Sequence, residues 1–305
     1  MRVSTLQFYQ RTVSVMLRQQ ARLADTQEQL ASGRRILRPS DDPTAAGHAL
    51  RLREALAGTA QYQRAAGQAE SWLQLEETTL VGVGDVLQRA RELAIRGRND
   101  TLSAQDRVAL AGEVRSLGEE LLRLANTRTA DGEYLFAGHR TRSPAFAAGA
   151  GGVVYEGDDG ERRVEVAPGS RVPVNHPGGR AFMDVPATGG GTESLFATLG
   201  ALADALETPS DPGFQAEMGR VIDQLALGVE HVTGLRAETG NRLRAVDTQR
   251  EFNAALELQL RQTLSDVEDL DYAEAVARLN RQMVGLEAAQ KTFGRVQGLT
   301  LFSYL

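Results

Sequence analysis

The chain has 305 residues, 42% hydrophobic and 24% charged, with a net charge of −6 and no cysteine. That length supports a large core or two to three domains. The acid excess argues against nucleic acid, which needs a clustered cationic face, and the missing cysteine excludes disulfide scaffolds, Cys metal sites and Cys nucleophiles.

Aromatics are sparse at 5%, and Lys291 stands against a large excess of arginine. The first feature favours a long helical architecture; the second reads as codon bias. No run of 18 apolar residues offers a membrane span. The opening "MRVSTLQFYQRTVSVMLRQQ" lacks the apolar stretch of a secretory signal. A chain of this kind that leaves the cell is expected to keep its N-terminus intact.

Residues 2 to 31 carry a heptad stripe and predict one long helix. One row is Leu6, Val13, Gln20 and Gln27; the other is Tyr9, Met16, Leu23 and Leu30. Gly33 supplies a helix stop. The stretch "ASGRRILRPSDDPTAAGHAL" (31 to 50) then crowds Arg34, Arg35, Arg38, Asp41 and Asp42 around Pro39. Asp42 is a good N-cap and Pro43 suits the first helical position, where a missing N–H costs nothing.

From Pro43 a second helix is expected to about Arg98, with "SAQD" (103 to 106) capping a third that reaches about Thr129. Between 131 and 191 the texture turns to Gly, Pro and alternating Val. "GGVVYEGDDGERRVEVAPG" predicts a hairpin with strands 153–156 and 162–166 and a turn at 157–160. "ATGGGTES" (187 to 194) reads as a flexible hinge. Helices resume at 195–206, 214–266 and from Tyr272. The last carries Val276, Leu279, Met283, Leu286, Gln290, Phe293 and Gln297 on one stripe.

Both terminal stripes hold glutamines in seam seats, which cost stability and specify register. A thirty-residue helix is about 45 Å long, too long for one end of a compact domain to cover. The terminal helices are therefore expected to pair with each other and with neighbouring copies. The fold class is mainly α: an elongated helical bundle with coiled-coil-like paired terminal helices and a small inserted β domain. The expected domains are 1–42 with 271–305, 43–130 with 192–270, and 131–191.

Catalytic patterns are missing. The histidines (His48, His139, His176, His231) have no ligand spacing and read as surface or loop residues. "GDDGE" (157 to 161) lacks the ligand alternation of a calcium loop, and "GAGG" (149 to 152) opens no helix as a phosphate loop would. The pairs Glu76–Glu77 and Glu119–Glu120 read as solvated helix faces. Neither a cofactor nor a metal is expected.

"SGRRILRPSDDPTAAGHAL" resembles the N-terminal signature of the flagellin superfamily, and "SDVEDLDYAEAVARLN" (265 to 280) resembles its C-terminal counterpart. "DGEYLFAGHRTRSPAF" (131 to 146), "VVYEGDDGERRVEVAPGSRVPVN" (153 to 175) and "LEAAQKTFGRVQGLTLFSYL" (286 to 305) are similar to the hook-associated junction branch of that superfamily rather than to the filament-forming flagellins.

The resemblance implies a non-enzymatic subunit of the bacterial flagellum, assembled as an annular or helical layer between hook-associated protein 1 and the first layer of flagellin. It also implies an extracellular location reached by type III export, with a cytoplasmic chaperone on the C-terminal helix. Inter-subunit contacts are expected on the two seams and on Arg34, Arg35, Arg38, Asp41 and Asp42. Two rival readings are a minor flagellin and a secreted adhesin or enzyme acting through the β insertion.

Overall fold

The computed structural model describes residues 2–149, 151–209 and 211–298, without the side chains of 2–6, 8 and 296–298. It is mainly α, as expected. The helices are α1 (Arg2–Ser32), α2 (Pro43–Gly97), α3 (Ala104–Ala125), α4 (Leu195–Glu207), α5 (Phe214–Glu268) and α6 (Tyr272–Gly298). Six short strands, β1 (Phe146–Gly149), β2 (Gly152–Tyr155), β3 (Arg163–Ala167), β4 (Ser170–Pro173), β5 (Val185–Pro186) and β6 (Thr192–Glu193), form three antiparallel pairs in chain order. A π-helical turn covers Gly179–Met183. The chain divides into two compact units, Ala60–Ala254 and the ends Met1–Thr59 with Ala255–Leu305.

In the central unit, α3 and α4 pack on each other around a core that includes Leu80, Leu87, Leu121, Leu202, Met218 and Leu235. Burying each such side chain contributes about 1.5–3 kcal/mol. Local signals set the helix starts. Ser103 and Asp106 form a reciprocal capping box on α3, and Ser194 accepts the Ala197 N–H to cap α4. The end of α3 falls at Ala125, short of Thr129. Asn126 leaves the helix because its side-chain amide pairs with the backbone of Phe146, donating to the carbonyl at 2.9 Å and accepting from the N–H at 3.0 Å.

The β segment departs from the expected hairpin. Strand 152–155 pairs with 146–149, and strand 163–167 pairs with 170–173. The intervening "GDDGE" is no tight turn. The Asp158 carboxylate accepts the N–H groups of His139 (2.8 Å) and Gly160 (2.9 Å), and the Tyr155 hydroxyl donates to the Asp158 carbonyl (2.6 Å). The loop is thus tied to residue 139, and the strands on either side must seek other partners. The expected hinge at 187–194 is instead a closed turn between β5 and β6, with Ala187 donating to Gly191 O (3.1 Å) and with Gly190 and Gly191 at positive φ.

Two expectations about charged residues fail. Glu76 is fully buried rather than on a solvated face, and His176 is fully buried rather than on the surface. The His176 N–H donates to Glu76 Oε1 at 2.6 Å, with ring Nδ1 3.1 Å from the same oxygen. Ring Nε2 lies 3.2 Å from Glu238 Oε2, and Thr239 can donate to Glu76 Oε2 at 3.3 Å. Burial pushes the Glu238 carboxyl up, but the hydrogen bond to His176 and the Arg180 charge outweigh it and hold the group low. Buried polar groups persist when partnered like this. The network fastens the segment after β4 to α2 and α5 within the central unit. Beside it, β3 and β4 cover Ala69, Leu73 and Val246 with Val166, Val172 and Val174.

Candidate functional site

The other unit holds every residue expected to make assembly contacts. In it α1 and α6 pack antiparallel, with the rings of Tyr9 and Phe293 5.3 Å apart near one end and Tyr272 against Gly33 at the other. On α1 the buried or half-buried heptad is Thr12, Met16, Gln19, Leu23, Thr26 and Leu30. On α6 it is Ala275, Leu279, Gln282, Leu286, Ala289 and Phe293.

One expected row on each helix therefore lies in the seam: Met16, Leu23 and Leu30 on α1, and Leu279, Leu286 and Phe293 on α6. The second row sits one residue earlier than the apolar pattern suggested. Val13 is half-buried at the margin, while Gln20, Gln27, Val276, Met283 and Gln290 are exposed. The side chains of Leu6 and Gln297 lie outside the described residues. The inner second rows are small or polar (Thr, Gln, Thr and Ala, Gln, Ala), which lets the backbones approach. At Gly285 an added Cβ would stand 2.7 Å from Gln19 Nε2, so the glycine leaves room for that side chain.

Pairing thus turns small and polar rows inward and leaves apolar residues outward. Val15 (48%), Leu17 (59%), Met283 (50%) and Val284 (66%) remain exposed on two helices whose mutual seam is only half apolar bulk. A shallow groove of about 300 Å³ between Val13, Met16, Leu17, Gln20, Gln290, Phe293 and Gly294 continues that surface.

The linker from Gly33 to Asp42 is held by its own charges. Gly33 adopts φ +70° and its N–H donates to Gln29 O at 2.9 Å, ending α1. Arg34 and Asp269 form an isolated antiparallel bridge, with Arg35 N donating to Glu268 O (2.7 Å) and Leu270 N donating to Gly33 O (3.0 Å). Asp41 accepts the N–H groups of Leu37 (3.2 Å) and Arg38 (2.8 Å). Asp42 accepts the Ala45 N–H (2.9 Å) as N-cap of α2. That bond, with the Arg35 guanidinium beside it, holds the Asp42 carboxyl below its ordinary value despite the opposing effect of burial.

Arg35 also donates to Val267 O (2.7 Å), and Arg53 pairs with Glu268 (2.6 Å). Three of the five linker residues, Arg35, Asp41 and Asp42, are thereby engaged inside the chain. Arg34 has no carboxylate within 4.0 Å among the described residues, and Arg38 reaches Glu28 only at 4.0 Å with both side chains largely exposed. A groove of about 430 Å³ opens beside these two arginines, lined by Ile36, Leu37, Pro43, Ala49 and Leu50 among others. Among the described residues, no cluster of three or more His, Cys, Asp or Glu could hold a metal, and no helix is long and apolar enough to cross a membrane.

Residues 3–141 match the bacterial flagellin N-terminal helical region. The flagellar hook-associated protein 3 of Escherichia coli (strain K12) is 31% identical over 315 residues, covering 99% of either chain. That of Salmonella typhimurium (strain LT2) is 30% identical over 316 residues, again covering 99% of each. Among solved structures, one from Vibrio parahaemolyticus assigned as a flagellar hook-associated protein superposes with a TM-score of 0.70. It is 27% identical and covers 75% of this chain and 100% of its own.

Proposed function

The chain belongs to the flagellar hook-associated protein 3 family, structural components of the flagellum at the hook–filament junction, and we propose that it works there by self-assembly of its terminal helices. The observation that carries this reading is the placement of the seam rows. With small and polar residues turned inward, the α1–α6 pair has unburied Val15, Leu17, Val276, Met283 and Val284 to offer neighbouring helices. Removing apolar surface from water stabilises by about 25 cal/mol per Å², which offsets the entropy of ordering long helices. A head-to-tail contact repeated around an axis closes a ring or winds a helix, as a layer between two tubular lattices requires.

In this proposal the copies form one layer, with hook-associated protein 1 on one side and flagellin on the other. The chain reaches that place outside the cell by flagellar type III export, and a chaperone covers α6 beforehand. The absence of cysteine suits a chain threaded unfolded, since no crosslink can form on the way. The proposed arrangement has a terminal helical domain (1–42 with 271–305) for assembly, a helical bundle (43–130 with 192–270) for rigidity, and the 131–191 segment on the bundle.

Deleting the gene tests the reading. Hooks should remain while flagellin is shed into the medium, and the intact chain should restore filaments. Chains with Leu17, Met283 and Val284 changed to serine should fold yet fail to restore them. Attached filaments in the deletion strain would overturn the proposal.

A further inference from the structure

The groove beside Arg34 and Arg38 has an apolar floor and a cationic rim with little compensation from its own chain. Ile36, Leu37 and Ala49 line it, Leu50 is 57% exposed at its edge, and Arg53 is already satisfied by Glu268. Its complement is an apolar side chain bordered on one side by free carboxylates.

The chain carries one such feature in the central unit. Phe252 on α5 is 63% exposed, and among the described residues it has no ring partner. The exposed carboxylates of Glu251 and Asp247, one and five residues before it, lie on one side of it about 100–140° around the helix, with no cation within 4.0 Å among the described residues. Nearby Arg250 is occupied by Glu70. The other exposed aromatics among the described residues are already engaged: Tyr9 packs on Phe293, and the Tyr272 hydroxyl lies against Gly33.

We propose that the groove formed by Ile36, Leu37 and Leu50 receives Phe252 of a second copy, with Asp247 and Glu251 of that copy meeting Arg34 and Arg38. This rests on the self-assembly reading and deepens it by naming the two faces of one contact. The contact is heterologous, because groove and knob are different surfaces, so each copy offers one of each and the interaction can propagate around a layer. Burial of the ring supplies attraction, while the charges set register and reject other partners.

The cysteine-free chain makes the test clean. Cells lacking the natural gene would express Leu50→Cys and Phe252→Cys chains together or singly, and their flagella would be mildly oxidised. A disulfide-linked dimer from cells carrying both, but from neither alone, is expected. Adding Arg34→Glu and Arg38→Glu should cut its yield about tenfold, and Asp247→Arg with Glu251→Arg should restore it.

If filaments are attached yet no dimer forms, the contact is refuted while the junction assignment stands. A dimer from either variant alone would also refute it, since that requires like surfaces to meet. Should the substitutions shed filaments, the mixed purified chains at high concentration decide in the same way: a dimer supports the contact, and its absence refutes it.

Discussion

The backbone N–H and the ring Nδ1 of His176 both address one oxygen, Glu76 Oε1, at 2.6 and 3.1 Å, with both side chains fully buried. Removing Glu76 leaves the His176 N–H and ring Nδ1 buried without their shared acceptor, while Nε2 keeps Glu238. Glu76→Leu should therefore destabilise the central unit by about 1–3 kcal/mol, and Glu76→Gln, which keeps one acceptor, by less. Glu119→Ala, at an exposed site that also opens a Glu–Glu pair on a helix, should stay within about 0.5 kcal/mol. Chemical denaturation of the three variants checks the order.

Acid stability follows from carboxylates held low. Asp158 sits below its ordinary 3.8 because the His139 N–H hydrogen-bonds it, against the opposing pull of burial and with help from Gly160. Asp106 is lowered by its bonds with Ser103, Glu207 by Arg115, and Glu217 by Arg220. In each the folded state favours the ionised form. Their contribution is therefore present above the ordinary carboxylate range, near 3.8 to 4.5, and is lost as pH falls through the lowered values. Denaturation midpoints should decline below about pH 4, and Asp158→Asn should make that decline shallower.

Tyr155 behaves in the opposite sense. Burial pushes its phenol from 10.0 up to about 12, and its hydroxyl donates toward the carbonyls of Phe136 and Asp158. The fold favours the neutral phenol, so this stability is complete below pH 10 and is lost between about 10 and 12. Ultraviolet titration should show a tyrosine step at about 12, and Tyr155→Phe should abolish it.

Gly33→Ala should loosen the joint between α1 and the linker. The new methyl would stand 2.9 Å from the Tyr272 hydroxyl, at a φ of +70° that L residues rarely adopt. The backbone preference alone costs about 1–2 kcal/mol. Faster hydrogen exchange at 272–280, with the central unit unchanged, is the expected result.

Exchange in the unassembled chain should rank the two units. A seam that includes Thr12, Gln19, Thr26, Gln282 and Ala289 protects amides less than the core around Leu80, Val83 and Leu87. Assembled flagella should show α1 and α6 protected. Equal protection in free and assembled chains would contradict ordering by neighbours.

The helices were legible because their signals are local. Asp42 and Pro43 and the Ser103–Asp106 box each act within four residues, whereas the cap at Ser194 lies inside a stretch that reads as a hinge. The rows buried in the α1–α6 seam were half legible. A hydrophobic pattern locates apolar residues, but here polar Gln19 and Gln282 face inward and Met283 faces out, with Gly285 leaving room for the Gln19 side chain. Glu76 and Glu119 each begin a Glu–Glu pair within a helix yet differ in burial, because the partner of Glu76 comes from a segment a hundred residues away. The strand pairing failed similarly: what redirects β2 is the tie between Asp158 and His139, which leaves no periodic trace.

The antiparallel pair joins the first and last helices among the described residues, with α2 through α5 between them. Closing a loop of that length is slow, and nothing local can hasten it. A chain stopped anywhere before α6 would carry an α1 with its whole seam unmatched. Only a chain that includes α6 can complete the pair.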